Sequence, residues 1–186
     1  MPPMRPEAVL PVAPITPDSA PAPTRYTDVQ FMQDMILHHA QALEMTALIP
    51  PRTQREDFRR LGQRIETSQK DEIAMMQQWL RDHAADVPAL DEHGMHHDAA
   101  GHMMMMPGML THQEMAQLGK ATGADFERLF LQYMIRHHQG ALAMVGDLFG
   151  TKGSGQDPLI FKYASDIDAD QRAEIRRMQT LQRDLK

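Results

Sequence analysis

The stretch MILHHAQALEM, Met35 to Met45, returns 99 residues later as MIRHHQGALAM, Met134 to Met144. At that offset Phe31, Gln33, Met35, Ile36, His38, His39, Ala42, Leu43 and Met45 recur as Phe130, Gln132, Met134, Ile135, His137, His138, Ala141, Leu142 and Met144. Further along, at an offset of 102, Ile65, Gln69, Glu72, Ile73, Met76 and Gln77 recur as Ile167, Gln171, Glu174, Ile175, Met178 and Gln179. A duplication constrains the fold strongly, because each copy must bury its apolar face against a neighbour. The change of offset places a turn of variable length between the two segments of each copy.

Both segments carry a helical period. Thr27 with Gln30 and Thr53 with Glu56 have capping-box spacing, and Asp157 before Pro158 gives an N-cap with proline at the first helical position. The pattern predicts helices over roughly 28–48, 54–84, 125–149 and 158–184. Two αα-hairpins of this length make an all-α four-helix bundle. The first 24 residues hold eight of the thirteen prolines and read as a disordered tether, with no signal-peptide pattern in this chain. The expected organisation is a tether over 1–26 and one bundle domain over 27–186, divided into repeat one (27–84), a connection (85–124) and repeat two (125–186). Within the connection, Thr111 with Glu114 is a third capping box, opening a short helix to about Leu118.

Composition removes several function classes. The formal charge is −6 without clustered basic residues, which argues against a phosphate-backbone partner. No run approaches the ~18 apolar residues of a membrane span. No Ser-His-Asp pattern, phosphate-binding loop or cysteine nucleophile is present. What remains is a chain with 17 methionines, 10 histidines and no cysteine. Outside the cytoplasm a thiolate ligand risks disulfide formation, whereas a thioether binds a soft metal without that side reaction, so the chain reads as exported: periplasmic, surface-bound or secreted.

On a helical wheel of ~100° per residue, His39 falls near the middle of the apolar sector of the first helix beside Met35, and His38 toward one edge beside Met45. The apolar face of the second helix contains Glu72 and Gln69, and repeat two restates them as Glu174 and Gln171. A carboxylate on a core-facing stripe is costly unless paired, hydrogen-bonded or metal-bound, so Glu72 is expected to meet His39, and Glu174 to meet His138. The edge members His38 and His137 are expected within reach of the connection. Two readings stay open here: a buried His-Glu-Gln network that fixes helix register, or a metal site. Core methionine alone does not decide, since it is an ordinary filler.

The connection carries His93, Met95, His96, His97, His102, Met103, Met104, Met105, Met106, Met109, His112 and Met115. An exposed loop gains little packing from such residues, whereas thioether with imidazole suits Cu(I), and imidazole alone also suits Cu(II). The bland reading is a hydrophobic lid over the bundle.

The paired M-x-x-H-H-x-x-A-x-x-M segments, the Gln-x-x-Glu-Ile-x-x-Met segments and the PGMLTHQEM stretch together resemble the domain of unknown function 305 family, over about residues 27–184. The resemblance implies a ferritin-like bundle of an exported Met- and His-rich protein. The family includes periplasmic copper-binding proteins of the CopM type, linked to copper sequestration or delivery. By motif position it implies Met35, His38, His39, Met45 and Met76, with Met134, His137, His138, Met144 and Met178, as candidate copper ligands. Glu72 and Glu174 join them from the helix pattern, and the loop residues from their own chemistry.

The leading expectation is thus a non-catalytic copper-binding protein, loaded from or unloading to another copper-handling protein. The alternative is an interaction module with a metal-free buried network and a Met-rich lid for an apolar partner. A di-iron oxidase would need Glu-x-x-His on two helices, and no glutamate here has histidine three residues later. The sequence carries no sign of the oligomeric state.

Overall fold

The computed structural model describes residues 27–90 and 106–185. The expected tether therefore lies outside the described residues, as do His93, Met95, His96, His97, His102, Met103, Met104 and Met105. Among the described residues there are six helices and no strands: α1 (Asp28–Ala47), α2 (Ile49–Arg52), α3 (Glu56–Asp82), α4 (His112–Lys120), α5 (Gly123–Gly150) and α6 (Pro158–Asp184). Each repeat folds as a hairpin, α1 on α3 and α5 on α6. The hairpins close into a bundle by packing α1 on α5 and α3 on α6.

Local chemistry sets the helix starts. Thr27 and Gln30 form the reciprocal capping box of α1, and Thr111 and Glu114 that of α4. Asp157 Oδ1 accepts from the amides of Leu159 and Ile160, with Pro158 leading α6.

The box expected at Thr53 does not form. Arg55 caps α3 without a side-chain bond. Thr53 instead donates its hydroxyl to Glu127 Oε1 on α5 at 2.6 Å and accepts from the Arg55 amide at 3.1 Å. The reason is tertiary: Glu127 is 6% exposed, and a nearly buried carboxylate takes the donors within reach, here Thr53 and the Arg55 guanidinium at 3.4 Å. Pro50 and Pro51 meanwhile extend the turn into α2.

The core divides into two halves that obey the duplication. Met35, Met76 and Met144 belong to one, with Phe31, Ile36 and Leu148; Met134, Met178 and Met45 belong to the other, with Phe130, Phe58 and Phe126. Of these six methionines, each half takes two from one repeat and the third from the other, as a pseudo-twofold axis through the bundle requires. Leu37, Leu80 and Ile160 complete the first half. Large apolar side chains of this kind are each worth about 2 to 3 kcal/mol when fully buried.

The segment after Met105 is not an exposed loop. Met106 and Met109 are 9% and 7% exposed and pack into the first core half. Between them the chain turns at Gly108, φ +78°, and lies against the backbone of α5. A Cβ at Gly140 would sit 1.8 Å from the Pro107 carbonyl oxygen, so only glycine admits this approach. On α1 the side chain of Gln41 brackets Leu110, donating to its carbonyl at 2.9 Å and accepting from its amide at 2.7 Å. Gln41 and Gly140 occupy the same position of the two repeats, 99 residues apart. Their divergence lets a single strap cross a nearly symmetric bundle. Arg136 then fixes α4 by a two-pronged bond to Glu114, at 2.7 and 2.8 Å. That guanidinium holds the Glu114 carboxyl down at about 2.

Candidate metal centre

Where the two hairpins meet, the apolar core is interrupted by one polar layer. It contains His38 and His39 from α1, His137 and His138 from α5, Gln69 and Glu72 from α3, and Gln171 and Glu174 from α6. All four histidines are 0% exposed.

The glutamates meet the inward histidines as the helix pattern predicts. His39 Nε2 lies 2.5 Å from Glu72 Oε2, and His138 Nε2 lies 2.6 Å from Glu174 Oε2. A carboxylate accepts, so Nε2 carries the hydrogen in each pair, and in the neutral ring Nδ1 keeps the lone pair. Met35 precedes His39 by four residues and Met76 follows Glu72 by four, so each helix places a thioether one turn from the pair. Repeat two restates this with Met134, His138, Glu174 and Met178.

His38 reaches the connection as expected, at Pro107, but the edge placement of His38 and His137 is overturned. Both are fully buried, and their rings pack on one another with centroids 3.9 Å apart and a 38° interplanar angle. The physical reason is that a helix in a four-helix bundle has two neighbours. The sector of α1 holding His39 faces α3, and the sector holding His38 faces α5. His38 donates from Nε2 to the Pro107 carbonyl at 3.0 Å, so the strap roofs the stacked pair. Burial, with His39 nearby, pushes the His38 imidazole down to about 3. Burial and then His38 push His137 well below its ordinary value. Both rings are therefore neutral, with lone pairs available.

The layer is under-satisfied. Among the described residues, the Nδ1 atoms of His38, His39, His137 and His138 have no hydrogen-bond partner, nor do Nε2 of His137, both amide atoms of Gln69 and Oε1 of Gln171. Buried polar groups are nearly always paired, and an unpaired one costs about 1 to 3 kcal/mol. Among the described residues no three His, Asp or Glu side chains converge on one point. A metal here would draw on imidazole nitrogens in small number, with thioethers completing the set.

The remaining candidates are dispersed. Met45 and Met144 are buried in opposite core halves, Met106 and Met109 join the first half, Met115 packs half-buried against the second, and His112 is exposed. Sequence reasoning missed Gln41, Gly140 and Pro107, which set the roof. The Gln-to-Gly difference between otherwise matching repeats and the Pro-Gly dipeptide were the available signals.

No curated protein matches the chain. A solved domain of unknown function 305 fragment from Deinococcus radiodurans is 34% identical, covering 83% of this chain and 94% of that one, with a TM-score of 0.67. A family member from Streptomyces coelicolor is 30% identical over 86% of this chain and 94% of its own, TM-score 0.71. CopM in the Cu(II)-bound form is 27% identical over 88% of this chain and 100% of that one, TM-score 0.67. The model of the domain of unknown function DUF305 matches residues 28–182, from the first residue of α1 to the last turn of α6, and the chain belongs to that family.

Proposed function

We propose that this protein binds copper outside the cytoplasm, to sequester or deliver it, without catalysing a reaction on it. The observation that carries this reading is the set of four buried Nδ1 atoms, unpartnered among the described residues, in a layer between two Met-bearing core halves. Neutral imidazole and thioether are the donors that suit Cu(I), and imidazole also accepts Cu(II). Their arrangement matches a known division of labour, in which a metal-binding histidine donates its other ring N–H to a carboxylate. On this reading Glu72 and Glu174 orient His39 and His138 rather than ligate. His38 is oriented likewise by the Pro107 carbonyl, and His137, with both nitrogens unpartnered among the described residues, is the ring most open to a ligand.

Copper as the cargo is supported by CopM, solved in Cu(I)-, Cu(II)- and Ag-bound forms. Export is supported by the cysteine-free, Met-rich donor set and by the Streptomyces coelicolor relative, named as a candidate secreted protein. No helix among the described residues is long and apolar enough to cross a membrane. The competing reading, a metal-free network that fixes register, is favoured by the lack of a ready three-ligand cluster.

Anaerobic Cu(I) titration against a competing chelator separates the two. The wild type is expected to bind more tightly than about micromolar, and His38→Gln/His137→Gln to lose at least one equivalent. Wild-type affinity no better than about micromolar would favour the metal-free network.

A further inference from the structure

Among the described residues, the strap from Met106 to Thr111 crosses the α1–α5 side of the bundle, and none crosses the α3–α6 side. Two grooves of similar size run along that seam. One, of about 310 Å³, is lined by Asp71, Glu72, Met75, Tyr163, Asp166 and Asp170. The other, of about 320 Å³, is lined by Arg60, Leu61, Arg64, Arg177 and Leu181, with Asp57 at its edge already bonded to Arg55.

The duplication relates these grooves in part. At the offset of 102, Leu61 corresponds to Tyr163, Arg64 to Asp166 and Met75 to Arg177. The duplication has therefore left two grooves of similar volume and opposite charge, acidic at the C-terminal half of α3 and basic at its N-terminal half. Among the described residues Arg64 and Arg177 in the basic groove form no ion pair, and neither do Asp71 and Asp170 in the acidic one. Lys162 pairs with Asp166 on the rim of the acidic groove, which leaves Asp71 and Asp170 without an ion pair among the described residues, and desolvation, then the neighbouring Glu72 and Glu174, raise the Asp170 carboxyl. Met75 stays 36% exposed at the rim.

A face with both signs, separated along one axis, complements itself in charge. A basic partner would satisfy one groove only, and an acidic partner the other. A second copy turned by a twofold axis across the seam satisfies both, twice, and closes the assembly. We propose that the α3–α6 face is the interface of an antiparallel homodimer, the acidic groove of each copy seated on the basic groove of the other. This does not depend on copper binding.

Sedimentation equilibrium of the full chain at low salt tests it, using two exposed positions. R64E is expected to weaken dimerisation by about tenfold or more, because like charges then face each other. R64E/D71R is expected to recover most of that loss, because the exchanged charges again meet their opposites. Added salt is expected to weaken the wild-type dimer. A wild type that stays monomeric at about 100 times micromolar concentration, an R64E variant that associates like wild type, or a double variant no better than R64E would each overturn the proposal.

Discussion

At the scale of single residues, the fold tolerates four imidazoles with no contact to water, and their chemistry differs by partner. His39 and His138 answer carboxylates at 2.5 and 2.6 Å. His38 and His137 pack on each other, and His38 donates to one carbonyl. Because burial lowers the His38 value from 6.5 to about 3, and lowers His137 as well, the unfolded chain binds more protons than the folded one between those limits. The metal-free protein should hold its full stability above about pH 6.5 and lose it as pH falls toward 3, with a slope on the order of 1 kcal/mol per pH unit for each histidine. Urea midpoints across this range read the effect, and His38→Gln/His137→Gln should flatten the curve between pH 6.5 and 5. Equal slopes for variant and wild type would contradict it. The His39–Glu72 meeting was legible in the sequence because one buried charge demands a partner. The His38–His137 meeting was not, because it depends on which two helices of four are neighbours.

At the scale of elements, the strap from Met106 to Thr111 distinguishes the repeats. Alanine replaces glycine in an open helix with a gain of up to about 1 kcal/mol. Gly146, with nothing near its Cβ direction, should show that gain on Gly146→Ala. Gly140→Ala should show the opposite sign, a loss of about 1 to 3 kcal/mol. Its new methyl would meet the Pro107 carbonyl at 1.8 Å and push the roof off His38. Thermal unfolding of the two variants side by side decides the point; equal gains would mean the strap does not rest on α5. Helix spans followed from period and caps, and α6 starts where Asp157 and Pro158 place it. The Thr53 box failed because a local pattern carries no knowledge of Glu127, 74 residues away. The burial of Met106 and Met109 was hidden for a similar reason, since Met-rich composition alone does not separate a lid from a ligand tract.

At the scale of the whole molecule, one duplication explains the paired His–Glu bonds, the exchange of methionines between core halves and, in part, the grooves of opposite charge. It does not explain the strap, which breaks the symmetry and encloses the central histidines. The central claim is that copper binds at this enclosed layer. Copper K-edge absorption of the anaerobically Cu(I)-loaded full chain tests it most directly. Imidazole nitrogen is predicted beside thioether sulfur in the first shell, with the nitrogen contribution falling in His38→Gln/His137→Gln. A spectrum unchanged by that double substitution would contradict the account.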